Sequence, residues 1–260
     1  MFSRFSTAVV RPPARNFANG LTTVAIGVPD VDLALTQHAA YCSALVRNGC
    51  TLVELLPDDR YPDSTFVEDA ALVLPHRGAI LTRPGAPSRA GEVHAMHDAL
   101  LPFFLNAEHI VAPGTLDAGD VCEVGARAFI GVSHRTNTEG ARQLSAWFAR
   151  HDVSATTIDI RGIDGILHLK SGVTALDEHR LIVIDALYDH PAFRTFDRVR
   201  SPRGEEYAAN CVRVNDVVFI AQGFLKTHAL LTALDYRLEV LDMSEFAKMD
   251  GGLSCLSLRF

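Results

Sequence analysis

Two side chains in this sequence of 260 residues combine a reactive type with a suitable setting: Cys255 and His168. Cys255 follows Gly251 and Gly252, which allow a tight turn with positive φ and a close approach of the backbone to a ligand. A thiol just beyond such a turn, at the start of a strand, can act as a nucleophile. The alternative is a small buried hydrophobic residue. His168 begins another strand and can transfer a proton at neutral pH, although a packing role is also open for it.

Acidic residues gather in two short segments of the chain. Asp63, Glu68 and Asp69 lie in the first segment, and Asp117 and Asp120 lie in the second. Acids that flank apolar strands are often turn caps, and Asp120 fits that role. Several converging carboxylates repel one another unless a cation lies among them. The planar fork of N–H donors of a guanidinium suits two carboxylates, so the pattern favours an organic cation.

Two arginines, Arg89 and Arg135, lie in short polar loops. Such arginines usually lie on a solvated surface. If both face the pocket of the acids, they would clamp a carboxylate. Acids at one end and arginines at the other describe a site for an arginine-like amino acid.

Composition narrows the class of partner and the compartment. The net charge is −7, without a stretch of Lys and Arg that would follow a phosphate backbone, so we expect no nucleic-acid partner. No apolar run reaches 18 residues, so no transmembrane helix is expected. Residues 1–6 lack the apolar core of a signal peptide and are expected to fray.

The other four cysteines, Cys42, Cys50, Cys122 and Cys211, lie in amphipathic or apolar segments and are interpreted as packing residues. An odd number of cysteines, with no export signal, favours reduced thiols and a cytoplasmic location. The absence of a Cys-x-x-Cys pair gives no support to a structural metal site.

The chain repeats one order of elements: strand, turn, strand, helix, strand. The first strands of successive units begin near Glu68, Asp117, His168, Asn210 and Cys255, and periods of about 40–50 residues are typical of propeller-like arrays. We therefore predict an α/β fold in a single domain, residues 1–260, closed from five ββαβ units whose matching residues converge on a central axis. The alternative is an open α/β sheet with an irregular strand order.

The predicted elements follow from apolar periodicity and turn residues. Strands are predicted over residues 66–74, 79–82, 110–112, 120–124, 128–131, 155–160, 181–184, 210–214, 217–221, 237–241 and 255–260, and over 22–28 and 51–56 in the unit that joins both ends of the chain. Helices are predicted over residues 88–104, with Ser88 as N-cap, 138–151, 225–234 and 31–48, the last ended by a left-handed Gly49, with a short helix in the third unit.

Seven segments of the sequence are similar to the dimethylarginine dimethylaminohydrolases of the guanidino-modifying, or pentein, superfamily. They cover residues 63–69, 82–89, 116–121, 135–137, 168–170, 207–211 and 250–255. The resemblance extends over nearly the whole chain. It implies the five-unit α/β propeller and hydrolysis of Nω-methylated arginine to citrulline without a cofactor, in a possible homodimer.

The resemblance also implies roles for individual residues. Cys255 matches the nucleophile and His168 the acid and base, while Asp69 and Asp117 match the carboxylates that hold the guanidinium. Family members differ between Glu and Asp at the place of Asp117. The remaining matches are substrate-binding positions: Arg89 and Arg135 for the α-carboxylate, Asp63 for the α-amine, Leu21 in a mobile lid, and Phe66, Glu68 and the backbone of Met249 in the pocket wall.

Three other functions compete with this hypothesis. An arginine deiminase uses the same chemistry with ammonia as leaving group, but usually has an added helical domain for which 260 residues leave little room. A binding protein of the same fold would not need the thiol and imidazole that this chain retains. A metal-binding site would recruit His168 and Cys255.

Overall fold

The computed structural model describes residues 4–260, and five three-stranded β-sheets are present in this part of the chain. The strands are β1 Thr7–Val10, β2 Thr51–Glu54, β3 Ala71–Leu74, β4 Gly78–Leu81, β5 Glu108–His109, β6 Val121–Val124, β7 Arg127–Val132, β8 Ser154–Asp159, β9 Val173–Ala175, β10 Arg180–Val183, β11 Asp197–Arg200, β12 Val212–Val214, β13 Val217–Ala221, β14 Arg237–Leu241 and β15 Leu258–Arg259. The helices are α1 Val31–Arg47, α2 Glu92–Leu100, α3 Thr138–Arg150, α4 Asp185–Tyr188, α5 Leu225–Ala233 and α6 Ser244–Ala247.

All five sheets share one topology. Their strand orders are β3-β4-β5, β6-β7-β8, β9-β10-β11, β12-β13-β14 and β15-β1-β2. In each sheet the first strand is antiparallel to the second, and the second is parallel to the third. A parallel pair needs a crossover connection, which α2, α3, α4, α5 and α1 provide in turn. The predicted α/β fold and its five ββαβ units are therefore confirmed.

A short 3₁₀ turn precedes the first strand of every sheet. We call these segments lead turns 1–5: Val67–Ala70, Ala118–Asp120, Leu169–Ser171, Glu206–Ala209 and Ser254–Leu256. Lead turn 1 packs against lead turns 2 and 5, lead turn 2 against lead turn 3, and lead turn 3 against lead turn 4. Most of the reactive and charged residues singled out from the sequence lie in or next to these turns, so the fold gathers them in one region.

The prediction that these residues begin the first strands is wrong in detail. Strand pairing starts only at Ala71, Val121 and Leu258, after the lead turns. Within the turns the backbone bonds locally, as in the N–H of Asp120 to the carbonyl of Asp117 at 3.0 Å. The side chains are therefore presented from turns and not from a pleated strand.

The N-terminal strand lies elsewhere than predicted. Residues 22–28 form no strand, and β1 at Thr7–Val10 pairs with both β15 and β2. The segment predicted to fray includes residues 1–3, which lie outside the described residues. Ser6 of that segment is held by its N–H, which donates to the carbonyl of Phe260 at 2.9 Å. The third strand of its sheet is also shorter than the predicted 51–56.

The helices agree more closely with the prediction. Asp30 caps α1 by accepting two backbone N–H groups, and Gly49 follows the helix with φ of 96°. The predicted helix 88–104 instead consists of a 3₁₀ turn at Pro87–Arg89 and the shorter α2, so Ser88 is not its N-cap. Strand β5 lies two residues before the predicted 110–112. Among residues 4–260, no helix is long and apolar enough to cross a membrane.

Candidate active site

The turn before Cys255 is fixed by close packing. Positive φ occurs at Asp250, at 57°, and not at the two glycines that follow, contrary to the sequence expectation. The glycines are required for space: a Cβ on Gly251 would lie 2.3 Å from the ring of Phe66, and one on Gly252 would lie 2.5 Å from Asn210. The backbone therefore reaches Cys255 along a path that larger side chains would block.

The surroundings of Cys255 favour the protonated form of its thiol. Its residue surface is 9% exposed. Burial raises the pKa of the Cys255 thiol to about 12, and the carboxylates of Glu68 and Asp69 act in the same direction. The thiolate that a nucleophile needs is thus disfavoured until a positive charge enters the site.

His168 lies among carboxylates. Its Nε2 is 3.2 Å from Oδ2 of Asp117. Burial opposes the charged form, but the carboxylates of Asp69, Asp120 and Asp117 outweigh it and raise the pKa of His168 to about 9. The imidazole is therefore protonated at neutral pH and can donate a proton to a leaving group.

Asp69 is held by two protein donors. Its Oδ1 accepts the N–H of Gly119 at 2.9 Å, and its Oδ2 accepts Nη1 of Arg89 at 2.6 Å. Burial acts to raise the pKa of Asp69, but His168 and Arg89 outweigh it and lower that pKa to about 2. The carboxylate is ionised and oriented, as a cation-binding group requires.

Asp117 is fully buried next to His168. Its Oδ1 accepts the N–H of Gly85 at 2.8 Å, which leaves Oδ2 directed at the imidazole. This arrangement directs the free oxygen of Asp117 at the imidazole, and its contact with a guanidinium stays a prediction.

Arg89, predicted to bind a substrate carboxylate, is surrounded by protein acceptors. Its Nε and Nη2 donate to Glu92, Nη1 donates to Asp69, and Nη2 also donates to the carbonyls of Phe66 and Asp63. Arg89 thus orients Asp69. Its contact with a substrate carboxylate stays a prediction.

Arg135 differs from Arg89. Its Nη1 is buried and has no hydrogen-bond partner among the described residues, and it lies 3.9 Å from Oδ2 of Asp117. A buried guanidinium donor without an acceptor is costly, and the predicted contact of Arg135 with a substrate carboxylate would satisfy it.

The segment around Leu21 covers the site. The N–H of Leu21 donates to Oδ1 of Asp63 at 3.0 Å, and Oγ1 of Thr23 donates to Oδ1 of Asp250 at 3.1 Å. Burial raises the pKa of Asp63, although Arg89 opposes the shift. The segment predicted to be a lid is therefore tied to the turn before Cys255.

One cavity of about 20 Å³ joins most of these side chains. Nine of the eleven predicted site residues line it: Leu21, Asp63, Phe66, Asp69, Arg89, Arg135, His168, Met249 and Cys255. Sequence reasoning missed Leu167, Asp250 and Gly251, which lie within one or two residues of His168 or Met249 in the chain. Asp117 lies behind His168, outside the cavity lining.

Two curated relatives match almost the full length of the chain. The Pseudomonas aeruginosa N(G),N(G)-dimethylarginine dimethylaminohydrolase is 42% identical over 257 residues, covering 98% of this chain and 100% of the relative. The chain belongs to the dimethylarginine dimethylaminohydrolase family. The protein of the same name from Streptomyces coelicolor is 37% identical, covering 97% of this chain and 96% of the relative. No family model matches the chain.

Solved structures of the dimethylarginine dimethylaminohydrolase family share this fold. The Pseudomonas aeruginosa enzyme in complex with citrulline aligns with a TM-score of 0.95 at 41% identity, covering 99% of this chain and all of that one. An adduct of a dimethylarginine dimethylaminohydrolase with S-methyl-L-thiocitrulline aligns with a TM-score of 0.94 at 41% identity, covering 98% and 100%. The N-terminal domain of a cyanobacterial arginine dihydrolase, at 18% identity and a TM-score of 0.82, shares the fold, with 97% of each chain covered.

Glu68 is placed differently from the other predicted residues of this dimethylarginine dimethylaminohydrolase family member. Its Oε1 lies 2.7 Å from Nζ of Lys170 and 3.1 Å from Nη2 of Arg259. It lines a second cavity of about 680 Å³ and not the small one. The structure therefore does not bring Glu68 to the wall of the candidate site, and its contact with substrate stays a prediction.

Three side chains in the site have atoms that could ligate a cation. Asp69, Asp117 and His168 each offer an atom within 4.8 Å of those of the other two. A protonated imidazole cannot ligate a metal, because both of its nitrogens carry protons. Arg89 also already occupies one oxygen of Asp69. The donor set thus suits an organic cation better than a metal ion.

Proposed function

We propose that this protein hydrolyses asymmetric dimethylarginine and monomethylarginine to citrulline, releasing dimethylamine or methylamine. One observation carries the proposal: a single cavity joins the thiol of Cys255, a protonated His168, the carboxylate of Asp69 and the unpartnered donor of Arg135. The names of the relatives, and the citrulline bound by one of them, point to the same substrate.

The substrate would lie with its guanidinium between acids and its amino-acid end at the arginine. Asp69 and Asp117 would hold the guanidinium, while Arg135, with Arg89, would bind the α-carboxylate. Asp63 would accept the α-amine, with Leu21, Phe66, Glu68 and the backbone of Met249 around the ligand. A cavity of about 20 Å³ holds little more than one water, so the Leu21 segment would have to move for the substrate to enter.

Binding of the cation would help to create the nucleophile. The guanidinium places a positive charge beside a thiol whose pKa is raised by burial and by neighbouring carboxylates, so it favours the thiolate. After its proton passes to solvent, Sγ of Cys255 would attack the central carbon of the guanidinium and form a C–S bond in a tetrahedral adduct.

His168 would transfer a proton in both halves of the reaction. It would first protonate the methylated nitrogen, whose C–N bond breaks to release the amine and leave an S-alkylthiouronium. The neutral imidazole would then take a proton from water while the water oxygen attacks the same carbon. Cleavage of the C–S bond would release citrulline and restore the thiolate, so protein groups and water supply every step.

The test compares citrulline release from asymmetric dimethylarginine, monomethylarginine and arginine. Dimethylamine and methylamine release would support the proposal, while ammonia release from arginine alone would favour the deiminase. Cys255→Ser should stay folded and lose turnover, and full activity in that variant would refute the covalent mechanism. Citrulline binding without any turnover by the wild-type protein would favour a binding role.

The wider setting of the reaction also belongs to the proposal. We infer one catalytic domain over residues 1–260, whose five units close into a ring through the packing of the lead turns. The hydrogen bond from Ser254 to Asn210 would complete that ring between lead turns 4 and 5. A cytoplasmic location and a homodimer remain proposals from sequence.

A further inference from the structure

Asp120 lies outside the cavity, yet it contacts two segments that carry site residues. One segment carries His168 and the other carries Arg135, which would face opposite ends of the proposed ligand. Asp120 is the last residue of lead turn 2 and is fully buried. The sequence assigned it no more than a turn-capping role. Its two oxygens have different partners, and those partners belong to different parts of the site.

The first oxygen holds the chain at His168. Oδ1 of Asp120 accepts the backbone N–H of Leu169 at 3.0 Å. Leu169 is the first residue of lead turn 3 and directly follows His168. Because the bond is made at the adjacent residue, it fixes the backbone from which the imidazole projects toward Asp117.

The second oxygen holds the loop of Arg135. Oδ2 of Asp120 accepts the hydroxyl of Ser133 at 2.6 Å. Oγ of Ser133 in turn accepts the N–H groups of Arg135 at 2.9 Å and Thr136 at 3.0 Å. A hydroxyl has one proton to donate, and the carboxylate of Asp120 directs it, so the lone pairs of Ser133 face the loop.

We propose that Asp120 is a positioning residue that sets His168 and the guanidinium of Arg135 in fixed relation to each other, at the distance that one amino-acid substrate requires. This inference rests on the proposed function, because the distance matters only if one ligand reaches both groups. Asp120 does not touch the ligand, and it acts through Leu169 on one side and through Ser133 on the other.

The charge of Asp120 also acts on the imidazole. The groups that face His168 are Asp69 from lead turn 1, Asp117 just before lead turn 2, Asp120 at its end, and Cys255 from lead turn 5, with Arg89 beside Asp69 and Arg135 beside Asp117. Three carboxylates therefore share the stabilisation of one imidazolium. Removing one of them should lower the pKa of His168, while removing the Ser133 hydroxyl should not.

Two variants distinguish the hydrogen bond of Asp120 to Leu169 from its hydrogen bond to Ser133. Asp120→Asn retains an oxygen for the N–H of Leu169 but removes the charge and the acceptor of the Ser133 hydroxyl. We expect kcat to fall about tenfold or more, KM to rise, and the high-pH limb of activity to move to lower pH. Ser133→Ala removes the acceptor for the Arg135 loop, so KM should rise about tenfold with kcat within about threefold of wild type. Asn48→Ala, which removes the Asn48 side-chain bond to the Ala44 carbonyl outside the site, is the control for lost stability.

The double variant and a titration complete the test. If Asp120 orders Ser133, the rise in KM caused by Ser133→Ala should be smaller in the Asp120→Asn background. The proposal would be overturned if the two changes had independent, multiplying effects on KM while the double variant kept the thermal stability of the wild type. Unchanged kcat, KM and pH limb in Asp120→Asn would also overturn it.

NMR titration of the imidazole, with His168→Asn to identify its signal, does not depend on turnover. A lower pKa of His168 in Asp120→Asn and not in Ser133→Ala would support the proposal even if the methylated arginines prove not to be substrates. An unshifted titration in Asp120→Asn would contradict it, whatever the activity of the wild-type protein.

Discussion

The backbone N–H of Ser254 donates to Oδ1 of Asn210 at 3.1 Å. On the same turn, the hydroxyl of Tyr207 donates to the carbonyl of Gly251 at 2.7 Å. Both bonds are made within four residues of Cys255, and both come from lead turn 4 or the residue after it. The unit that contributes no predicted catalytic residue therefore holds the segment that carries the predicted nucleophile.

Removal of the Asn210 side chain should lower kcat without a comparable change in KM. Asn210→Ala loses the acceptor for Ser254, so we expect kcat to fall about tenfold while KM stays within about threefold. Asn210→Asp retains an acceptor and should recover part of kcat, but its charge should move the alkylation of Cys255 to higher pH. Steady-state kinetics and alkylation rates check this, with Asn48→Ala as control. An Asn210→Asp variant no better than Asn210→Ala would contradict the hydrogen-bond explanation.

Arg89 should matter more for stability than an exposed arginine does. Arg89→Met leaves the buried carboxylates of Asp69 and Glu92 without their cation, so the free energy of unfolding should fall by about 3–5 kcal/mol. Arg60→Met removes a pair that Arg60 makes with Asp58 from an exposed position, so it should cost far less stability. Urea unfolding measures the free energy of unfolding of both variants. Equal losses of that free energy would refute a structural role for the buried Arg89.

Alkylation of Cys255 should report its raised pKa. Mass spectrometry of the Cys255 peptide measures its rate of reaction with iodoacetamide. Because an ordinary thiol has a pKa of about 8.5, a rate that still rises above that pH would show the raised pKa of Cys255. Glu68→Gln removes one of the opposing carboxylates and should shift the profile to lower pH. A profile that levels off below pH 8 in the wild-type protein would show that the thiol is not suppressed.

The fold was predictable where a pattern spans many residues. Helices such as α1 and α3 have apolar periodicity over several turns, and strand pairs such as β12 and β13 surround a polar turn. The lead turns have only three or four residues, so no periodicity distinguishes them from the strands that follow. The choice of Thr7–Val10 over residues 22–28 as a strand depends on pairing with β15 and β2, which are distant in sequence.

The site was predictable as a set of residues but not as a set of contacts. The sequence and the family resemblance identify nine residues that line one cavity. They do not reveal that Arg89 binds Asp69 and Glu92, or that Asp120 joins Leu169 to Ser133, because such partners are chosen by the packing of separate units. Short polar loops look alike in sequence whether their arginines are solvated, structural or open to a ligand.

Removal of metal ions should leave activity unchanged. The group of Asp69, Asp117 and His168 has the spacing of a cation site, but a protonated His168 and the Arg89 guanidinium already place positive charge there. Citrulline formation after dialysis against EDTA should therefore equal that of the untreated protein. A loss of activity that an added divalent metal restores would contradict this account.

Variants of Asp117 test whether the charge or the length of its side chain decides the function of the site. Asp117→Asn retains an acceptor for Gly85 but turns an amide toward His168, so the imidazolium loses a partner at 3.2 Å. We expect kcat to fall about 10²- to 10⁴-fold and the high-pH limb to move down, because proton donation depends on that imidazolium. The pH profile of kcat in the folded variant measures both effects.

Asp117→Glu retains the charge and adds one methylene at a fully buried position. Overpacking should cost about 1–3 kcal/mol of stability, but the high-pH limb should stay near that of the wild type. The expected order of kcat is therefore wild type, then Asp117→Glu, then Asp117→Asn. Asp117→Glu could instead be as inactive as Asp117→Asn while its own high-pH limb stays unshifted. The length of the side chain, and with it the reach to the guanidinium, would then matter more than its charge. The length of the Asp117 side chain would then be matched to the position of His168 in this protein.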